Sequence, residues 1–241
     1  MLVSTLNYNQ PELTDNLVKQ ISFNKSQYEL MVVDNGSNKE LAKSTTHKLP
    51  ENYYFGGGIN VILDYFLNKT EHEYLVIFNN DLIFHGPNLL DNMVNEMKDN
   101  DLALYSPAII NTGADQCFWK QMWNWGTGTV REVDFIDFMC PVIRRDLAEI
   151  IGQFPEELYL GWGADFYSGI IANKNELKVG VSDNISLAHL VGYTFKSNAI
   201  DIPENTFAQN ADINMHKYFD NNQELKNAFH EFRRRGATYN V

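Results

Sequence analysis

A layered α/β fold, a mostly parallel sheet with helices on its faces, follows from two features of the chain. Apolar strand-like runs alternate with helical patterns through the first half. Two of those runs end in a carboxylate: Tyr28-Glu29-Leu30-Met31-Val32-Val33 leads into Asp34-Asn35-Gly36-Ser37, and Tyr74-Leu75-Val76-Ile77-Phe78 into Asn79-Asn80-Asp81. Strand ends of a mostly parallel sheet form its ligand crevice, so acidic strand ends point to a polar ligand accompanied by a cation.

Leu2 to Leu6 reads as the first strand. Pro11, Glu12 and Leu13 open a helix, because proline suits the first helical turn, and Leu13, Leu17 and Ile21 recur at helical spacing. Residues 28–33 make the second strand, residues 59–67 a helix with Ile59, Ile62, Leu63 and Phe66 on one side, and residues 74–78 a further strand. Leu89, Leu90, Met93, Val94 and Met97 mark the next helix, and Leu102 to Tyr105, ahead of Pro107, fits another strand. The middle is less regular. Residues 112–129 hold Trp119, Trp123, Trp125 and three glycines, which suit a loop or short hairpin; these tryptophans serve either packing or contact with a sugar or base. Residues 133–143 then resemble a strand, 145–151 a short helix, Asp165 to Asn173 a helix, and Leu177 to Val181 a strand. The tail is helical over 210–219 and 223–235, giving a domain over residues 1–200 and a C-terminal helical extension over 201–241. There is no internal repeat and no low-complexity linker.

The 241 residues can bury a sizeable core, and their formal net charge of −12 disfavours nonspecific binding to nucleic acid or an anionic membrane. Arg233-Arg234-Arg235 is the one basic cluster: either a solvated terminus, or a contact for a phosphate, a partner or a peripheral membrane surface. Cys117 and Cys140 are too few for a disulfide scaffold or a cysteine-built zinc site. Buried free thiols are expected, with a bridge as the alternative. No apolar run approaches membrane-spanning length and the chain opens directly on strand-like residues, so a cytoplasmic protein is expected.

The segments Thr5 to Asn9, Val32-Val33-Asp34-Asn35-Gly36-Ser37, Gly56-Gly57-Gly58-Ile59-Asn60, Asn79-Asn80-Asp81, Gly161-Trp162-Gly163-Ala164-Asp165 and His189 occur in the order and spacing of a known family. Together they resemble glycosyltransferase family 2, inverting enzymes with the GT-A fold, a Rossmann-like mixed sheet flanked by helices. Rhamnosyl-type and related polysaccharide transferases are the nearest in flavour, and the likeness covers roughly residues 1–195.

The resemblance implies a nucleotide diphosphate sugar donor and a saccharide or glycan acceptor. Asp34 would accept a hydrogen bond from the nucleobase imide, which favours UDP- or dTDP-linked sugars, and backbone near Thr5, Leu6 and Tyr8 would line base and ribose. Asp34 can equally cap the turn at Gly36. Gly57 and its neighbours would bring backbone close to the ligand ahead of Asn60, at a helix start that favours negative charge, or they would shape a loop without a ligand. The acidic metal motif has Asn79 at its first position, then Asn80, and retains Asp81. Asp81 and His189, in Ser186-Leu187-Ala188-His189, would hold Mn²⁺ or Mg²⁺, a charge that no lysine or arginine near these motifs supplies.

Asp165 would be the general base, although Ala164 stands where the family frequently has Glu. An aspartate near its ordinary pKa of about 3.9 is a weak base, so its value would lie in positioning; a helix cap is the alternative role. Trp162 and Gly163 would contact the acceptor, with Trp162 as a stacking face for a sugar. Two other classes compete: an inactive sugar-nucleotide or carbohydrate-binding module of the same fold, and a sugar-phosphate nucleotidyltransferase. The latter needs a basic residue in the N-terminal loop, and Thr5 to Pro11 has none.

Overall fold

The computed structural model of the chain describes residues 1–84, 86–110, 117–190 and 202–241. The first half alternates as predicted: β1 (Leu2–Asn7), α1 (Pro11–Ile21), β2 (Glu29–Asp34), β3 (His47–Lys48), α2 (Tyr54–Lys69), β4 (Tyr74–Phe78), β5 (Leu82–Ile83), α3 (Leu89–Asp99) and β6 (Leu102–Ile110). The short strands β3 and β5 are additions that the sequence pattern did not show. There follow β7 (Val130–Glu132), β8 (Val142–Arg144), α4 (Arg145–Ile151), α5 (Ala164–Lys174), β9 (Lys178–His189), α6 (Glu204–Asn221) and α7 (Lys226–Thr238).

The strands form one mixed sheet in the order β3-β2-β1-β4-β8-β6-β9-β5, with β7 against β9. β1 runs parallel to both β2 and β4, so the C-terminal ends of these three strands open on one edge. β8 reverses the direction between β4 and β6. Helices supply the apolar faces: Leu17, Ile21, Ile62, Leu63, Phe66, Leu90 and Met93 are fully buried, each contributing roughly 1.5–3 kcal/mol.

Three segments differ from the sequence expectation. α2 begins at Tyr54, so Gly56, Gly57 and Gly58 lie within its first turns instead of in a loop. Close packing explains them: a Cβ on Gly56 would lie 2.5 Å from the Leu158 carbonyl oxygen, and one on Gly58 2.9 Å from the Leu6 side chain. β6 runs through Pro107, where the register with β9 slips and the missing N–H is tolerated. Residues 133–141 are not a strand; they form an irregular buried link between β7 and β8.

The tryptophan segment is tied down by hydrogen bonds. The Trp123 indole donates to Cys117 O at 2.8 Å and the Trp125 indole to Lys120 O at 3.0 Å. Arg131 of β7 reaches back to Gln121 O and Trp123 O while pairing with Asp183 of β9 at 2.9 Å, both side chains buried. Asp183→Ala leaves the Arg131 charge buried and unpaired, and should lower unfolding free energy by about 3–5 kcal/mol in urea titration. The Asp183→Ala, Arg131→Met double variant should recover part of that loss; a single-variant loss below about 1 kcal/mol would exclude the pair as an anchor.

Candidate active site

Asp81 and His189 are far apart in sequence, and a very short ladder joins them. β5 starts immediately after Asp81 and pairs antiparallel with the end of β9, Leu82 opposite His189 and Ile83 opposite Ala188. The Leu190 N–H donates to Asp81 O at 3.0 Å and locks the register. His189 Nε2 then lies 3.1 Å from Asp81 Oδ1, with both side chains largely buried. Burial disfavours the imidazolium, yet contact with Asp81 and the nearby charge of Asp137 raise the His189 pKa above its ordinary value. His189 Nδ1 is buried with no hydrogen-bond partner among the described residues.

Asp165 occupies the first turn of α5, whose N-cap is Gly163 at φ 96°. One carboxylate oxygen accepts from Gly163 N at 3.1 Å and Phe166 N at 2.8 Å, so the group satisfies amide donors at the helix start from within the first turn, while the N-cap itself is Gly163. The second oxygen takes part in neither bond. Desolvation of the carboxyl, followed by repulsion from Asp137, pushes its pKa up to about 8. Asp165 is therefore far from the weak base that an ordinary aspartate would be.

Asp137 is the residue that sequence reasoning missed. It sits in the irregular link, where burial raises its carboxyl pKa against the opposing pull of His189 and a 3.8 Å contact from Cys117 Sγ. Reading residues 133–143 as a strand hid it among apolar neighbours. The available signal was period two: Phe135, Asp137 and Met139 would share one face of such a strand, and only one of them is polar. Both cysteines are free and buried.

These groups open onto one cavity of about 690 Å³ at the C-terminal edge of β1, β2 and β4. Leu6, Tyr8, Asn79, Asn80, Asp81, Trp162, Gly163, Asp165 and His189, all singled out in the sequence, line it. Trp162 is exposed. Asn80 donates to Gln10 Oε1 and Thr14 Oγ1, bracing the strand end against α1.

Thr5, Asp34, Gly57 and Asn60 do not line the cavity. The Thr5 side chain is wholly buried in β1. Asp34 is wholly buried too, its carboxylate accepting from Asn7 Nδ2 at 2.9 Å and Ser37 N at 3.0 Å, which is the turn-capping role. The strand-end residue that faces the cavity is its neighbour Asn35. Gly57 packs on Tyr53 and Tyr159, and Asn60 exchanges two hydrogen bonds with the Phe154 backbone. Phe207, Asp212, Met215 and Arg233 of the C-terminal helices also line the cavity, where the sequence placed no motif.

No family model matches the chain, and no curated protein matches it in sequence. Solved structures do share its fold. A mannosyltransferase from Pyrobaculum calidifontis, solved with GDP-Man and Mn²⁺, is 16% identical with a TM-score of 0.56, covering 100% of this chain and 76% of its own. GalNAc-T7, solved with UDP, GalNAc and Mn²⁺, is 12% identical with a TM-score of 0.63 over 78% of this chain and 42% of that one. S. aureus TarS is 14% identical with a TM-score of 0.56 over 92% and 72%. The mixed sheet with its flanking helices is the Rossmann-like GT-A fold of nucleotide-sugar transferases.

The raised pKa of Asp165 has a signed effect on stability. Unfolded, the group loses its proton near pH 4; folded, it holds the proton until about pH 8. The folded state binds the extra proton between those values, so stability falls as pH rises through that window. Asp165→Asn mimics the neutral acid, and its unfolding free energy in urea should gain on the wild type from pH 4 to pH 8 and level off above. A difference independent of pH would mean that the carboxyl titrates normally.

Proposed function

We propose that the protein transfers a sugar, with inversion, from a nucleotide diphosphate sugar to a hydroxyl of a saccharide acceptor, aided by a divalent cation. The observation that carries this reading is the convergence of Asp81 with His189, and of Asp165 with Asp137, on one cavity at the strand ends.

Among the described residues no group of three or more His, Cys, Asp and Glu gathers around one point. An ion held by Asp81 and His189 would therefore take its remaining ligands from the diphosphate and water. The pair fits that role. Two ligands about 2.1 Å from an octahedral ion and at right angles lie about 3 Å apart, and the observed oxygen–nitrogen separation is 3.1 Å. One carboxylate and one imidazole suit Mn²⁺ better than Mg²⁺. When bound, the cation neutralises charge on the departing diphosphate.

The chain's own residues then perform a single displacement. Asp165 in its ionised form, whose share grows as pH rises toward about 8, takes the proton from the acceptor hydroxyl as the hydroxyl oxygen bonds to the anomeric carbon. The bond from that carbon to the diphosphate breaks, and its electron pair leaves with the nucleoside diphosphate. Burial, followed by repulsion from Asp137, strengthens Asp165 as a base by disfavouring its ionisation. Trp162, beside Gly163, offers an exposed face on which the acceptor stacks. Leu6 and Tyr8 line the donor side, where Asp34 acts through the loop that it ties to Asn7 and Ser37.

A screen of nucleotide sugars for metal-dependent release of nucleoside diphosphate tests the reaction. Metal-dependent release is expected from at least one donor, and release from none would overturn the reading; calorimetry with UDP, dTDP and GDP in the presence of Mn²⁺ identifies the base, because the buried Asp34 does not face the cavity. Asp81→Asn and His189→Ala should both weaken apparent metal affinity and turnover, Asp81→Asn more. Unchanged metal titration curves in both would sink the cation assignment. Asp165→Asn should lower the transfer rate about 10²–10⁴-fold with donor affinity nearly unchanged. A folded Asp165→Asn protein with near-normal transfer would remove Asp165 as the base.

A further inference from the structure

The cavity is rich in carboxylates, since Asp81, Asp137, Asp165 and Asp212 all line it. A diphosphate entering such a site meets repulsion that one divalent ion offsets only in part. Among the described lining residues a single side chain carries a fixed positive charge, Arg233 of α7. Its neighbours in sequence are spent elsewhere: Arg234 pairs with Glu231, and Arg235 with Glu231 and Asp134. Arg233 has no carboxylate partner among the described residues. Its guanidinium donates to His216 Nε2 on α6 and lies 5.5 Å from the centre of the Phe229 ring. The guanidinium is thus held from two sides, half-buried, with N–H groups left over.

We infer that Arg233 binds the diphosphate of the donor, making the C-terminal helix pair part of the nucleotide site. A planar fork of donors matches phosphate oxygens in pairs, and partial burial strengthens the contact. This deepens the glycosyl-transfer reading and rests on it. A phosphate contact was one of the two roles open to the basic run, and only the packing of α7 against α6 separates Arg233 from Arg234 and Arg235, which are paired with carboxylates.

The test is calorimetry in Mn²⁺ with UDP, dTDP, GDP and the matching nucleosides, without acceptor, on wild type, Arg233→Met and Arg233→Lys. Methionine retains an apolar stem over Phe229, and lysine retains the charge without the fork. Arg233→Met should weaken nucleoside diphosphate binding about 10- to 100-fold while nucleoside affinity stays level. Arg233→Lys should fall in between, and decides the matter if the methionine variant does not fold. Wild-type diphosphate affinity in the folded variants overturns the inference and leaves glycosyl transfer standing. If transfer to the acceptor is lost in that case, Arg233 serves the acceptor side. A wild type that binds no nucleoside diphosphate at all overturns both readings.

Discussion

Much of the molecule depends on an irregularity in β9. Its register with β6 passes from Pro107↔Ser182 straight to Ala108↔Ser186, so Asp183, Asn184 and Ile185 bulge out of the ladder. Ser182 Oγ steadies the bulge by accepting from Asn184 N and Ile185 N, each at 3.0 Å. The bulge has two consequences. It hands Asp183 to Arg131, which anchors the tryptophan segment, and it re-aims the last residues of the strand so that His189 lands opposite Leu82, beside Asp81. Bulges commonly redirect a side chain next to a functional site at the expense of regular pairing. Here one bulge couples the fold's buried ion pair to its site.

The second constraint is electrostatic. Like charges gathered in a poorly solvated cavity cannot all ionise without compensation. Each carboxylate meets that demand differently. Asp81 leans on His189, Asp165 accepts two backbone N–H bonds and still titrates near 8, and Asp137 is raised by burial. Asp137 and Asp165 each disfavour the other's ionisation, so their titrations belong to the pair. A site so arranged favours cationic ligands, and its ionised Asp165 is a stronger base than an ordinary aspartate.

Local patterns carried the parts of this architecture that local physics decides. The apolar runs of β1, β2 and β4 and the helical spacing of α1 and α3 are set by burial on known faces, and the acidic strand ends follow from them. What local patterns could not carry was contact between remote segments. The glycines of α2 looked like a ligand loop because nothing in their neighbourhood reveals that Leu158 and Leu6 press against them. Asp34 and Asn35 are adjacent, and their alternate orientation, with Asn35 toward the cavity, emerges only once the strand's faces are assigned. Asp137 was lost to a strand pattern that the chain does not adopt, and Arg233 was legible only as one member of a basic run whose members have different partners.

The C-terminal helices bear on the chemistry through packing as well as charge. Phe166, next to Asp165, sits in an aromatic cluster with Phe135, Phe219 and Phe229, and Trp119 meets it edge-on at 5.3 Å. Such pairs add about 0.5–1.5 kcal/mol each beyond their buried area. Gly163 is squeezed from the same side: a Cβ there would approach Leu158, Met215 and Phe219 within 2.9–3.1 Å, and its left-handed φ already favours glycine. α6 therefore closes on the turn that aims Asp165, while α7 brings Phe229 and Arg233 to the same region. The carboxyl that would take the acceptor's proton is oriented by residues from the middle and the C-terminal part of the sequence, so α6 and α7 support the site as directly as the strands do.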